Sequence, residues 1–264
     1  DGVRHEVRAT LTVGADGRGS RVRRLAGFEP VKTSPPMDVL WFRLPREPGD
    51  PEGVIGRPGH GRLAVLLDRS DHWQVGLVIP KGTYPALRAA GVESLRQSLS
   101  DLAPELSGRA ESLTSWREVS LLSVESSRCR RWHRPGLLLI GDAAHVMSPV
   151  GGVGINYAIQ DAVVAANLLS GPLGSGRVRD RQLAAVQRRR ELPTRVIQAM
   201  QALVQSRLLA PTLDERPFDP PKPLRLLLRL PLVRDLPARG LGFGMWRVRV
   251  VEPGTAEVSR RTLW

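Results

Sequence analysis

Cysteine, lysine and long apolar runs are scarce in the sequence, and each scarcity excludes a class of protein. The single cysteine among the 264 residues excludes an intramolecular disulfide, as is usual in a reducing cytoplasm. No apolar run reaches the ~18 residues of a transmembrane helix. The first residues do not have the pattern of a signal peptide. These observations predict a cytoplasmic protein.

Negative charge is also scarce, because 26 acidic residues accompany 39 basic ones and the formal net charge is +13. Such a charge suits nucleic acid, an anionic membrane or an anionic small molecule as a partner. The lysines are Lys32, Lys81 and Lys222, so the other basic residues are arginines, spread mostly singly between apolar residues. Proteins that bind single strands interleave basic and aromatic residues, which this chain does not do. We therefore expect no nucleic-acid partner.

The pattern of apolar residues predicts strands and one helix in the first half of the chain. Residues 7–13 alternate between apolar and polar, which predicts a strand with one wet face, and Ser20 is suited to cap a short helix after it. Residues 37–44, 61–79 and 118–124 are β-like, and the middle segment breaks at a polar hairpin. A helix with its apolar face at Val92, Leu95, Leu99 and Leu102 lies between them. We expect an antiparallel sheet with a helix beside it.

The second half of the chain has the pattern of a parallel α/β unit. Residues 137–140 form a continuous apolar run, which predicts a strand buried on both faces. A helix should follow the glycines and end at Gly171 and Pro172, and another should span 192–209 between Pro193 and Pro211. The apolar face predicted for the first of these helices comprises Ile155, Ala158, Ile159, Ala162, Val163, Ala166 and Leu169.

A candidate site lies between this strand and this helix, in the segment GDAAHVMSPVGGVGIN of residues 141–156. The strand delivers Asp142 to the carboxyl edge of the sheet, where α/β proteins bind ligands. Gly151, Gly152 and Gly154 remove side chains in front of a helix N-terminus, which presents free N–H groups and a positive dipole end. Pro149 stiffens the loop. A purely structural strand–turn–helix explains the same residues equally well.

Two other interpretations of this segment have little support. A phosphate-binding P-loop requires a lysine after its glycines, and no lysine follows the glycines here. Asp142 and His145 are possible metal ligands, but no third ligand lies nearby, so we predict no metal site.

Cys129 lies among arginines with no partner motif, and we interpret it as structural.

Two motifs resemble those of the FAD-dependent flavoprotein monooxygenase family of the aromatic-hydroxylase type. GDAAHVMSPVGGVGINYAIQDA is similar to the second flavin-binding motif of that family. GADGRGSRVRRLAG resembles its other internal motif, through Asp16, Gly17, Ser20 and Arg23. Both occur in the family's order, and a β-rich segment and a helix separate them. The joint match is far more specific than either motif alone.

The resemblance implies roles for these residues in binding FAD. Asp142 would bind the ribityl chain, while Pro149 and Gly151 would border the isoalloxazine ring. The backbone N–H groups near Gly154, Ile155 and Asn156 would face the pyrimidine edge, as the dipole argument also suggests. Asp16 and Gly17 would lie near the approach of FAD and the nicotinamide cofactor, with Arg23 holding their turn. His145 and Ser148 are interpreted as loop anchors.

The family also implies the fold class and the domain order. We expect an α/β protein in which a partial Rossmann-like FAD/NAD(P)-binding domain carries an inserted, mainly antiparallel β-sheet substrate domain and a C-terminal helical region. Residues 1–30 and 127–172 would belong to the FAD-binding domain. Residues 31–126 would form the substrate domain, and residues 173–264 the helical region.

One departure from the family affects cofactor binding. The family begins with a βαβ unit bearing G-x-G-x-x-G, which holds the FAD pyrophosphate at a helix N-terminus. The sequence has no such segment in a strand–helix context. We therefore expect the chain to be part of a longer flavoenzyme and to bind FAD weakly or not at all by itself.

By resemblance, the function is that of an NAD(P)H-dependent monooxygenase that hydroxylates or epoxidises a small organic substrate with dioxygen through a flavin C4a-hydroperoxide. Trp41, Phe42 and Trp73 are candidates to line the substrate cavity, although core positions would explain each of them. No catalytic acid or base is predicted. A flavin-dependent reductase or dehydrogenase of the same fold is one alternative. The other is a non-catalytic basic protein that binds membrane surfaces through its arginine- and leucine-rich residues 223–250.

Overall fold

The computed structural model of the protein describes residues 2–209 and 248–251, which contain both helices and strands. The helices are α1 (Arg21–Leu25), α2 (Tyr84–Ala89), α3 (Val92–Leu102), α4 (Ser107–Ala110), α5 (Gly154–Gly174) and α6 (Asp180–Val204). The strands are β1 (Thr12–Gly14), β2 (Pro30–Thr33), β3 (Met37–Pro45), β4 (Val54–Gly59), β5 (Arg62–Asp68), β6 (His72–Pro80), β7 (Ser120–Ser123), β8 (Ser126–Cys129), β9 (His133–Arg134), β10 (Leu137–Leu139) and β11 (His145–Val146). This mixture confirms the predicted α/β class with a mainly antiparallel sheet.

The described residues divide into two compact units, each with its own apolar core. The first unit contains residues 2–33, 125–201 and 248–251, and the second contains residues 34–124 and 202–209. The first unit is therefore built from separate stretches of the chain, with the second inserted between them. The domain boundaries predicted from the sequence remain predictions.

The second unit is a five-stranded antiparallel sheet in the order β4-β5-β6-β3-β7. Its longest pairing joins β3 to β6, from Met37 opposite Pro80 to Pro45 opposite His72. Side chains alternate along each strand, and one face of the sheet packs on α3. Burying each large apolar side chain of this face stabilises the fold by about 1.5–3 kcal/mol. The core includes Leu40, Phe42, Leu44, Leu66, Trp73, Val75, Leu77, Leu95 and Leu99. The predicted strands, hairpin and helix of this region are confirmed.

The first unit has two small sheets and two long helices. In one sheet β1 lies parallel to β10, which also pairs with β9, and in the other β8 pairs with β11 and β2. One core cluster joins β10 to α5 and α6 through Leu138, Val164, Leu169, Leu183 and Val186. Leu138 and Leu139 are fully buried, which confirms the strand predicted from the apolar run.

The strand predicted at residues 7–13 is wrong for most of its length. Strand β1 begins only at Thr12, and Val7 is 86% exposed. Strand β10 pairs with residues 12–14 alone, so the residues before Thr12 have no strand partner within the described part of the chain. The helix that follows is confirmed, and Ser20 caps α1 by accepting a hydrogen bond from the Arg23 N–H.

The ends and faces of α5 and α6 also differ from the prediction. Helix α5 continues past Pro172 to Gly174, and its Ile155 and Ile159 are 75% and 56% exposed rather than buried. Helix α6 starts twelve residues earlier than predicted, at Asp180 instead of 192, and contains Pro193 in its interior. Packing of its first turns into the core outweighs the helix-start signal of the proline. Pro211 lies outside the described residues.

Within residues 2–209 and 248–251, no helix combines the length and the hydropathy needed to cross a lipid bilayer.

Candidate functional site

Asp142 lies in a tight turn, Gly141–Ala143, directly after β10. Gly141 has a φ of 57°, and a Cβ there would lie 3.0 Å from the Ala158 Cβ, so both the backbone conformation and the close approach of α5 favour glycine. Asp142 is half-buried, and its carboxylate makes no hydrogen bond or ion pair with the residues that the structure describes. The carboxylate is therefore available to accept hydrogen bonds from a ligand.

Arg23 fixes the backbone of this turn from the other motif. Its buried guanidinium donates to the carbonyl oxygens of Asp142 and Ala143, at 3.2 and 3.0 Å, through Nη1. Its Nη2 donates to the Arg18 carbonyl at 2.6 Å. One arginine thus ties the segment around α1 to the turn that carries Asp142, although 119 residues separate Arg23 from Asp142.

The side chain of Asp16 is hydrogen-bonded to the start of α1. Its carboxylate accepts hydrogen bonds from the Ser20 hydroxyl and from the Arg21 and Val22 N–H groups, the last two at 2.7 and 3.1 Å. These bonds, that from Ser20 foremost, lower the pKa of Asp16 below its ordinary value. Gly17 has a φ of 80° and turns the chain beside it. Both residues therefore shape the loop that Arg23 links to Asp142.

The glycine loop precedes α5 and leaves open space before it. Gly151 and Gly152 have φ values of 79° and 64°, a region that favours glycine, and nothing lies within 4 Å of a Cβ built on Gly152. Pro149 is half-buried at the start of this turn. Helix α5 then begins at Gly154, without a side-chain cap from Val153.

The N-terminus of α5 combines exposed residues with a long helix behind them. Ile155 and Asn156 are exposed, and α5 extends for 21 residues. The first N–H groups of any helix lack intrahelical partners, and the helix dipole places partial positive charge there. Gly154, Ile155 and Asn156 therefore present a region that favours negative charge, on the same loop segment as Asp142.

A buried ionic network underlies this loop and was missed by sequence reasoning. The Asp161 carboxylate of α5 is fully buried and accepts hydrogen bonds from the Gly141 N–H at 2.9 Å, from His145 Nε2 at 2.6 Å and from Arg190 Nε at 2.7 Å. Desolvation would raise the pKa of Asp161, but His145 and Arg190 lower it below its ordinary value. The ionised carboxylate thus holds the Gly141 backbone, the loop and α6 together.

His145 anchors the loop as predicted, but its partners were not predicted. His145 is 1% exposed and its ring lies 4.8 Å from that of Trp132. The only sequence signal was an aspartate within an apolar helix. That signal indicates a buried charge only if a cationic partner is known. The partner, Arg190, lies 29 residues after Asp161 in the sequence, so it could not be recognised from the helix itself. Ser148 is also buried, and its carbonyl accepts a hydrogen bond from Gln201 Nε2 at 2.9 Å.

The three aromatic residues proposed for a substrate cavity occupy different places in the second unit. Trp73 is 1% exposed, belongs to the core and donates from Nε1 to Asp50 at 2.9 Å. Phe42 is 2% exposed and belongs to the same core. Trp41 is half-buried and lies on the opposite face of the sheet, next to a cavity of about 420 Å³. Of the three aromatic residues, Trp41 and Phe42 belong to the lining of this cavity and Trp73 does not.

Cys129 is buried in the first unit, 1% exposed. Desolvation raises the pKa of its thiol, and the nearby Arg23 only partly opposes this effect. The structural interpretation of Cys129 fits this environment, since reactive thiols have lowered pKa values. Among the described residues, no group of three or more histidine, cysteine, aspartate or glutamate side chains is placed to hold a metal ion.

Several known proteins are similar to this chain in sequence or in fold. 6-Methylpretetramide 4-monooxygenase of Streptomyces rimosus is 37% identical over 247 residues, and the match covers 92% of this chain and 58% of that protein. OxyS anhydrotetracycline hydroxylase from Streptomyces rimosus has a TM-score of 0.63 at 24% identity, over 92% of this chain and 47% of its own. The flavin-dependent brominase Bmp2 has a TM-score of 0.69 at 16% identity, over 92% of this chain and 59% of its own.

The chain spans 58% of the length of the monooxygenase relative, and at such low identities the two solved structures show the fold alone. The model of the family described as "FAD binding domain" matches residues 1–200, most of the 264-residue chain. That match includes both motifs, the turn of Asp142 and the glycine loop. The chain therefore belongs to the FAD-binding domain family of flavoprotein monooxygenases.

Proposed function

We propose that residues 141–156 bind the isoalloxazine and ribityl parts of FAD, and that the chain belongs to an NAD(P)H-dependent monooxygenase acting on a small organic substrate. The observation that carries this proposal is the half-buried Asp142 carboxylate, which has no partner among the described residues and shares the segment 141–156 with an open glycine turn and a helix N-terminus. A helix start without this carboxylate would be an ordinary structural feature.

The residues present fit the chemistry of the flavin. The ribityl chain offers hydroxyl donors, which the two oxygens of Asp142 can accept. No atom lies within 4 Å of a Cβ built on Gly152, so no side chain blocks the approach of a flat ring at that point, and Pro149 and Gly151 would border the ring. When bound, FAD supplies the transfer of electrons from NAD(P)H and the activation of dioxygen.

The chain itself supplies orientation and electrostatics. The N–H groups of Gly154, Ile155 and Asn156 would stabilise negative charge on the pyrimidine edge through the helix dipole. Arg23 would hold the Asp142 turn in place through its two carbonyl bonds. Asp16 and Gly17 would act by shaping the loop around α1, because the Asp16 oxygens already accept three hydrogen bonds there.

The affinity for FAD of this chain by itself tests how much binding depends on a segment that holds the pyrophosphate. Because the sequence contains no G-x-G-x-x-G segment for the pyrophosphate, we expect weak or no binding of FAD, with riboflavin bound about equally well. Titration monitored by flavin fluorescence measures both affinities. Sub-micromolar affinity for FAD would refute this expectation.

The type of reaction requires a separate test, because the brominase shares the fold. In a longer protein that carries this chain with bound FAD, a monooxygenase incorporates one atom of ¹⁸O₂ into its product while it oxidises NAD(P)H. Oxidation of NAD(P)H without incorporation of ¹⁸O would identify the reductase alternative. Most of the segment proposed for membrane-surface binding, residues 223–247 of 223–250, lies outside the described residues.

A further inference from the structure

Helix α6 of the first unit buries a row of polar side chains. Gln187, Arg190, Thr194 and Gln201 are all buried, and their spacings of three, four and seven residues place them on one face of the helix. A helix in a globular protein usually buries an apolar face, so polar side chains in these positions are expected to have hydrogen-bond partners. The partners of Gln201 lie in the glycine loop in front of α5.

The amide of Gln201 binds two backbone carbonyl groups of this loop. Its Nε2 donates to the Ser148 carbonyl at 2.9 Å and to the Val150 carbonyl at 2.8 Å. The amide nitrogen carries two N–H groups, so it can donate one to each carbonyl. Because the two carbonyls lie on either side of Pro149, Gln201 fixes the distance between the two ends of the segment that contains this proline.

The turn that follows depends on such backbone bonds for its shape. Gly151 and Gly152 have no side chains to pack, and glycine adopts many backbone conformations at little cost. Within the turn, the Gly152 N–H donates to the Pro149 carbonyl at 2.9 Å, and the Val150 N–H donates to the Ser148 hydroxyl at 3.3 Å. The two bonds from Gln201 connect this turn to α6, which is a far more rigid element.

A glutamine at residue 201 is unfavourable for packing alone. Gln201 is 2% exposed, and its Oε1 is buried without a partner among the described residues, which costs free energy. Ile197, one turn earlier on α6, packs with Met147 and Val153 in an apolar cluster, so an apolar side chain would suit the neighbouring position. The two bonds to the glycine loop are what the glutamine supplies in its place.

We propose that Gln201 is a positioning residue of the flavin site, which holds the glycine turn in the conformation that borders the isoalloxazine ring. The inference rests on the proposed function, because it concerns the same flavin. Gln201 is buried, so it acts through the backbone of Ser148 and Val150 and not by contact with the ring. Without its two bonds the glycines adopt other conformations, and a ligand must then order the turn at a cost in affinity.

A second glutamine of α6 provides a matched control. Gln198 also donates from Nε2 to two carbonyl groups, those of Ser127 at 3.0 Å and Val146 at 3.1 Å. These two residues pair with each other between β8 and β11, outside the glycine turn. Gln201→Met and Gln198→Met each remove two bonds from an amide to carbonyls with little change in side-chain volume. The two variants differ in the segment that they release.

The rigidity of the turn is measured without flavin, by ¹⁵N relaxation of the chain as it exists. In Gln201→Met, the order parameters of the Gly151 and Gly152 amides should fall from about 0.85 to below about 0.6. Gln198→Met should leave them unchanged, since a general loss of stability does not loosen one turn of a folded chain. Gln201→Asn retains the amide on a shorter side chain and should act in the same direction, so it decides the question if Gln201→Met does not fold.

The affinity for riboflavin, measured by NMR titration, connects the turn to the flavin. Gln201→Met should raise the dissociation constant about tenfold, because binding must then order the turn, and Gln198→Met should change it less than about twofold.

Two results would overturn the inference: unchanged order parameters of Gly151 and Gly152 in both Gln201 variants, or a loosened turn that binds riboflavin as tightly as the unmodified chain does. Asp142→Asn separates this failure from that of the flavin site. If Asp142→Asn weakens riboflavin binding and Gln201→Met does not, the flavin site stands and the role of Gln201 is refuted. If the unmodified chain shows no riboflavin binding, or Asp142→Asn has no effect on it, the flavin site is refuted and the role of Gln201 with it.

Discussion

A different kind of interaction stabilises the interior of each unit. The second unit has one continuous apolar core between α3 and its sheet, with Leu99 and Leu40 fully buried. The first unit has smaller cores and a fully buried carboxylate, Asp161, bonded to Arg190 and His145. Apolar contacts are numerous and interchangeable, whereas a buried ionic network has few members and each depends on the others. The loop proposed to bind flavin is held by the second kind.

The largest expected effect is that of Asp161→Asn. The change keeps the side-chain shape but leaves the buried Arg190 without its counter-charge, so we expect a loss of about 3–5 kcal/mol in the free energy of unfolding. Urea unfolding followed by circular dichroism measures it. Glu6→Gln is the control, because Glu6 is exposed and should change stability by less than about 0.5 kcal/mol. Equal stabilities of the Asp161→Asn variant and the unmodified chain would refute the structural role of the network.

Substitution of Leu99 tests how well the apolar core of the second unit tolerates change. Leu99→Ala should cost about 2–5 kcal/mol because it leaves a cavity, whereas Leu99→Met should cost less than about 1.5 kcal/mol. A near-isosteric change would then be tolerated in the apolar core but not at Asp161. If Leu99→Met is as harmful as Asp161→Asn in urea unfolding, the distinction between the units fails.

A surface ionic cluster in the second unit should respond to pH. Asp50 accepts hydrogen bonds from Arg109 and Trp73. The pKa of Asp50 is lowered to about 2, and the hydrogen bond from Arg109 is the largest cause. Because its pKa is 3.8 without these partners, Asp50 should stabilise the folded state above about pH 4 and lose this effect as the pH falls towards 2. Unfolding measured from pH 6 to 2 should converge for the unmodified chain and Asp50→Asn. A difference that is constant over this range would contradict the assignment.

The smallest expected effect on stability is that of Gly152→Ala. Its φ of 64° disfavours alanine by about 1 kcal/mol, although no atom lies within 4 Å of the new Cβ. Thermal unfolding should show a small decrease, and flavin binding should fall if the open space is needed by the ring. Ala162→Gly, on an exposed part of α5, is a control of similar size for stability that should leave flavin binding unchanged.

The sequence predicted the second unit well and the first unit only in part, for a physical reason. Strands β3 and β6 and helix α3 follow their own local periodicity, because each packs one face on a single core. The buried face of α5 was predicted only in part, because Leu169 is buried as expected but Ile155 and Ile159 are exposed, while Asp161 is buried with Arg190. Pairing of distant charges leaves no periodic signal. Asp142 and the glycine loop were predicted from their positions after a buried strand and before a helix, and their role in binding flavin stays a prediction.

The most direct test of the proposed flavin site is chemical-shift mapping by NMR during titration with riboflavin, which contains the isoalloxazine ring and the ribityl chain but no phosphate. We predict that the shifting amides cluster at residues 141–156, with the largest changes at Gly154, Ile155 and Asn156, and that Asp142→Asn removes these shifts while the spectrum stays folded. Shifts spread over other parts of the chain, or unchanged by Asp142→Asn, would contradict the proposed flavin site.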